Sequence, residues 1–200
     1  MRILHVISSL EIGGAQRLLS DMLPLMAKEH EVTLLVNQDV DNDFSRQVRE
    51  GGVAVRSTDI RNFYSLRNLI ALRRAVKGYE VVHVHLFPSV YLVAVACLFR
   101  KVNLVYTEHS TSHKRRGKCY LKPIERIVYS RYKCIVSISQ QTQDALTAWL
   151  GSRSDDKRFL VINNGVNLSL FRQVVSEKEY PFTLIMVSRF VESKDQQTVI

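Results

Sequence analysis

Two hundred residues suffice for one sizeable core, or for one domain and part of another. An apolar fraction of 46% is ordinary for a globular chain, and no apolar run reaches the roughly 18 residues of a spanning helix. The net charge of +9 is concentrated: eight Lys or Arg against one Glu lie between His113 and Lys133. That field suits phosphate, anionic lipid or nucleic acid, or is simply a solvated helix face.

Short β-branched runs alternate with helical patterns along the chain. The predicted strands are "RILHVIS", "EVTLLVN", "GVAVRST", "VVHVHL", "NLVYTE", "CIVSIS", "FLVIN" and "FTLIMVS". Several are near-continuously apolar, as strands covered on both faces are. Helices are predicted at 15–28, 42–50, 65–77, 88–100, 120–133 and 140–150. The alternation argues for an α/β fold, a Rossmann-like doubly wound parallel sheet. Pro24 should kink or break the first helix. Pro88 falls where a first helical turn tolerates it, Ser139 is placed to cap the last helix, and Gly151 to end it.

The chain enters its first strand with no basic start, apolar middle and cleavage site, so a cytoplasmic protein is expected. Cys97, Cys119 and Cys134 are odd in number and lack metal-ligand spacing; reduced thiols and no metal are expected. After "VINNGVNLSLF" comes a polar stretch and then the buried-type run Phe182–Ser188. Left unpaired, that run would expose an apolar edge, and homo-oligomer formation through it is an option.

Chemistry concentrates where the strands end, the place at which sheets of this type bind ligands. Gly13 and Gly14, in "SSLEIGGAQRLLSDML", remove bulk before a helix whose N-terminus favours an anion. The alternative is a tight turn that binds nothing. A dinucleotide site is excluded, since G-G-A-Q has no third glycine and the second strand ends at Asn37-Gln38 without an acidic residue. In "YEVVHVHLFPS", His83 and His85 share one strand face. His83 reads as a hydrogen-bonded core residue, whereas His85, nearer the carboxyl end, reads as a ligand contact. Glu108, His109, Ser110 and Thr111 cluster at the next strand end, as a polar site or as turn formers. No Ser-His-Asp order, zinc spacing or P-loop is present.

The motifs "GGAQ", "VVHVHLF", "TEHS", "CIVSISQQTQDAL", "VINNGVNLSLF" and "MVSRFVESKD" occur in register over the whole chain. In this the chain resembles family 4 of the retaining glycosyltransferases, whose GT-B fold sets two Rossmann-like domains across a cleft. The resemblance implies an N-terminal acceptor-binding domain over 1–165, a linker over 166–181 and the start of a nucleotide-sugar-binding domain over 182–200. Gly13 and Gly14 would approach the donor diphosphate, and Arg189 and Lys194 would neutralise it as the anomeric C–O bond breaks. His85 would be the catalytic strand-end histidine. With Glu108, His109 and Ser110 it would also line the acceptor side. The implied co-substrate is a nucleotide sugar, with UDP the expected carrier and no further cofactor. The family's paired-glutamate motif lies beyond residue 200, so this stretch alone is expected to be inactive.

The implied acceptor is a saccharide or lipid-linked sugar in surface polysaccharide or glycolipid synthesis. Lys114, Arg115, Arg116 and Lys118, ahead of a narrow stripe of Leu121, Ile124 and Val128, would then face the inner membrane surface, though the stripe could equally pack on the sheet. Two other functions compete. A nucleotide-sugar 2-epimerase shares the two-domain architecture but needs no sugar acceptor. A basic nucleic-acid-binding module is disfavoured, because no aromatic residues are interleaved for base stacking.

Overall fold

The alternating apolar runs pair into one parallel sheet of seven strands in the computed structural model, which describes residues 1–153, 155–168, 185–188, 190 and 195–198. The strands are β1 (Arg2–Val6), β2 (Glu31–Val36), β3 (Ala54–Ser57), β4 (Val81–His85), β5 (Asn103–Glu108), β6 (Cys134–Ser137) and β7 (Phe159–Val161). Their spatial order is β3-β2-β1-β4-β5-β6-β7. The helices between them are α1 (Gly14–Met26), α2 (Asp43–Glu50), α3 (Leu66–Ala75), α4 (Ser89–Ala96), α5 (Lys122–Ser130) and α6 (Gln140–Leu150). The doubly wound α/β fold is therefore as the sequence indicates.

Because the strand order reverses at β1, the crossover helices divide between the two faces. Leu19 and Leu23 of α1 and Val48 of α2 pack on Ile7, Val32, Leu34 and Val36. The helices α3 to α6 bury Leu72, Val90, Val93, Val128 and Leu146 against Leu4, Val6, Val82, Val84, Tyr106 and Ile135 on the other face. The order reverses between β1 and β4, and the space beyond their carboxyl ends is the expected position of a ligand crevice in such a sheet.

Local signals explain most element ends. The Ser139 side chain accepts from the Thr142 amide, and Gly151 closes α6 in the left-handed region at φ 64°. The helix α1 is not broken at Pro24 but runs on to Met26. Pro24 stands so near the helix end that it removes only one late hydrogen bond. It also packs on α2: a Cβ on Gly51 would lie 2.4 Å from Pro24 Cβ, so only glycine fits there.

The expected eighth strand is not among the described elements. Its residues 185–188 carry no strand, and 182–184 lie outside the described residues. By internal contacts the chain divides into Met1–Val166, which holds the whole sheet, and Asn167–Ile200. No described helix is long and apolar enough to cross a membrane.

Candidate active-site crevice

Two strand ends frame the crevice. After β1 the chain buries Ile7 and Leu10 and exposes Glu11 and Ile12. It then enters α1 from Gly13, whose backbone is extended at φ −176° and offers no side-chain cap. A Cβ on Gly14 would meet nothing within 4 Å, and one on Gly13 would meet only the movable end of Gln16. The first turn of α1 therefore presents uncapped amides beside open space, which suits an anion.

At the same end of the sheet stands a group of four imidazoles. Parallel pairing sets His5 of β1 against His83 of β4, with His85 two residues further along. Leu4, Val6, Val82 and Val84 turn to the opposite face, so alternation points the three histidines the same way. His5 Nδ1 lies 3.1 Å from His85 Nε2, and His85 Nδ1 lies 3.3 Å from His109 Nε2. His83 Nε2 is 2.7 Å from Thr107 Oγ1, the hydrogen-bonded arrangement expected of a core histidine. Burial holds His5 and His85 well below the ordinary histidine value, with the neighbouring imidazoles adding to the effect. Burial likewise lowers His83 and His109 to about 4. All four are neutral at pH 7.

The structure places His85 deeper than its position at the strand end suggests. Its side chain is 1% exposed and both ring nitrogens face other histidines, so it does not project freely into the crevice. His109, half-buried beyond it, is the imidazole nearer to solvent. The reason is depth: β4 is a central strand, and its last residue is still covered by neighbours on both sides.

Glu108 is also placed differently from a free acceptor ligand. It is wholly buried and accepts from Arg116 Nη2 at 2.7 Å, His113 Nε2 at 2.9 Å and the Ser110 amide at 3.3 Å. Arg116 adds a bond to the Thr111 carbonyl at 2.7 Å. A second carboxylate, Glu125 of α5, is 2% exposed and gathers Arg115 Nη1 at 2.6 Å, Trp149 Nε1 at 2.5 Å and the Tyr91 hydroxyl. The Arg115 guanidinium also lies over the Phe87 ring, 4.2 Å from its centroid.

Two of the four expected membrane-facing cations are thus bound internally, because desolvated Arg requires a carboxylate partner. Lys118 is exposed, and the Lys114 side chain lies outside the described residues. Ser110 stays half-buried at the crevice rim. Arg189 and Lys194 lie outside the described residues.

Sequence reasoning missed the part played by His5, Glu125 and Arg116. A signal existed for His5, the one polar residue inside the apolar run "ILHVI". Nothing local marks Glu125, whose partners are Tyr91 of α4, Trp149 of α6 and Arg115, ten residues before it.

Comparison with known proteins agrees with this architecture. The chain is 22% identical to the capsular polysaccharide biosynthesis glycosyltransferase CapH of Staphylococcus aureus, over 98% of its own length and 55% of the relative's. Its fold matches the crystal structure of Anabaena HepE in complex with UDP and glucose, with TM-score 0.71 and 19% identity. That match covers 87% of this chain and 47% of HepE. It also matches a UDP-GlcNAc 2-epimerase from Neisseria meningitidis bound to UDP-GlcNAc, with TM-score 0.58 and 11% identity, over 82% of this chain and 47% of the epimerase. The chain spans about half the length of these proteins. The family model described as Glycosyltransferase Family 4 matches residues 12–170, most of the chain and nearly all of the sheet, and the chain belongs to that family.

Proposed function

We propose that this chain forms the acceptor-side half of a retaining glycosyltransferase that takes a sugar from a nucleotide sugar, UDP-linked, to a saccharide or lipid-linked acceptor. The observation that carries the reading is the crevice at the strand-order reversal. It brings the uncapped α1 turn at Gly13 and Gly14 to the same sheet end as His85 and His109. In the proposed reaction the anomeric C–O bond to the diphosphate breaks and a bond to the acceptor oxygen forms. The acceptor hydroxyl proton leaves with the departing diphosphate. Charge therefore grows on the diphosphate, where the α1 amides and the cations Arg189 and Lys194 would hold it. His109, supported by His85, would orient the sugar or acceptor hydroxyls as a neutral donor or acceptor.

A role in surface polysaccharide synthesis is supported by the likeness to CapH, and UDP by the ligands of HepE. The epimerase likeness rests on the fold alone, and the Glycosyltransferase Family 4 match favours transfer over epimerisation. A nucleic-acid module is disfavoured further by the internal pairing of Arg115 and Arg116.

The test is isothermal titration of this chain with UDP, GDP and UDP-glucose, beside a chain extended through the second half that its relatives possess. Binding by the extended chain alone supports the proposed division between acceptor and donor halves. Tight UDP binding by the 200 residues themselves would place the nucleotide on the glycine turn and overturn it. Turnover by the 200 residues alone would refute their expected inactivity.

A further inference from the structure

We propose that His5, His83 and His85 form a binding site for one divalent transition-metal ion of the zinc class. The site shares His85 with the sugar-transfer reading but does not rest on it.

The fold supplies the arrangement without strain. Two histidines separated by one residue on a strand share a face about 7 Å apart, and a residue on the adjoining strand stands about 5 Å away. His83, His85 and His5 occupy those positions. Their ring centroids are separated by 4.9 Å for His5–His83, 4.3 Å for His83–His85 and 5.4 Å for His5–His85. One ring nitrogen from each can be chosen so that all lie within 4.8 Å of one another. Two nitrogens held tetrahedrally at the usual zinc distance of about 2.0–2.1 Å stand about 3.3 Å apart. His5 Nδ1 and His85 Nε2, at 3.1 Å, are already near that separation. The His83 ligand nitrogen lies within 4.8 Å of both, so closing the site brings His83 toward them.

The orphaned nitrogen of the cluster, His5 Nε2, is buried without a hydrogen-bond partner and is not the ring atom that faces His85, so it is not one of the three ligand atoms. Each of the other two rings is steadied from behind, His83 by Thr107 and His85 by His109. Outer partners of that kind orient metal-bound histidines.

The donor set selects the ion. Three imidazoles and no carboxylate suit Zn²⁺, Co²⁺, Ni²⁺ or Cu²⁺ and disfavour Mg²⁺ and Ca²⁺, which prefer oxygen. Three neutral ligands leave the ion's charge uncompensated, so its fourth position would hold hydroxide or another small anion. His83 and His109 are only half-buried, which leaves a route from solvent.

The test is titration of the chelator-treated 200-residue chain with Co²⁺ and Zn²⁺. The expected result is one equivalent of Co²⁺ with the visible bands of a four-coordinate ion, displaced by Zn²⁺ and not by excess Mg²⁺. His83→Gln should weaken binding at least tenfold, the smallest loss seen when even an outer partner of a metal ligand is disturbed. His30→Gln, outside the cluster, should not change it. If His83→Gln fails to fold, long-range ¹H–¹⁵N spectra of the unaltered chain decide: zinc should shift the ring nitrogens of His5, His83 and His85. Absence of binding, binding unchanged in folded His83→Gln, or shifts confined to His30 and His113 would overturn the proposal. The cluster would then be a purely hydrogen-bonded piece of the core.

Discussion

Arg116 Nη2 lies 2.7 Å from Glu108 Oε2, with the two side chains only 12% and 1% exposed. The pair ties the basic segment after β5 back to the carboxyl end of the strand that precedes it. Removing one partner of a buried pair strands the other charge, at a cost of about 3–5 kcal/mol. Glu108→Gln should therefore lower stability to urea by that order. Combined with Arg116→Met it should recover much of the loss, because the stranded cation is then gone. Simple additivity of the two changes in a double-mutant cycle would show that the pair is not coupled.

Gly51 and Gly14 should respond oppositely to the same substitution. A methyl at Gly51 meets the Pro24 ring at 2.4 and 2.5 Å and its backbone Cα at 3.1 Å. None of those atoms is the end of a flexible side chain, so Gly51→Ala should cost about 1–3 kcal/mol. Gly14 faces open space at the start of α1, and Gly14→Ala should be neutral or stabilise by up to about 1 kcal/mol. In the extended chain, Gly14→Ala should nonetheless weaken UDP-sugar binding. Unchanged affinity would remove the diphosphate from this turn.

Binding to anionic vesicles should depend on the exposed part of the basic segment. Lys118 and Tyr120 are exposed, as are Ile124 and Ile127 of α5, while Lys122 is half-buried. Each lysine near an anionic surface contributes about 1 kcal/mol. Lys118→Gln with Lys122→Gln should then weaken binding to phosphatidylserine vesicles roughly 30-fold, by the usual 1.4 kcal/mol per tenfold. Equal binding to neutral and anionic vesicles in a sedimentation assay would remove the idea.

The three free cysteines should differ in reactivity. Cys119 is exposed, whereas burial raises the Cys97 thiol to about 11 and, to a lesser extent, that of half-buried Cys134. Only the thiolate attacks. A thiol reagent at neutral pH should therefore modify Cys119 first and leave Cys97 until the chain is denatured. Fast reaction at Cys97 in the native protein would mean that α4 opens locally.

Periodicity and punctuation by themselves determined the layered architecture. Apolar runs such as "EVTLLVN" cannot be exposed on either face, so they demand a parallel sheet with helices on both sides. Ser139 and Gly151 bound α6 through bonds to residues within a single turn, and are legible for that reason. The crevice was also legible, because strand ends and the glycine turn are properties of consecutive residues.

Tertiary structure alone decided what the polar side chains do. His5 and His83 are far apart in sequence, and only the pairing of β1 with β4 makes them neighbours. Arg115 and Arg116 read as free cations until the fold brings Glu125 and Glu108 against them. Glu108 read as a ligand for an acceptor until its oxygens proved to be occupied by Arg116 and His113. The physical reason is common to all three. Hydrophobic burial follows a local period that one strand or helix displays by itself, whereas a buried charge or imidazole takes its role from partners whose proximity the chain order does not reveal.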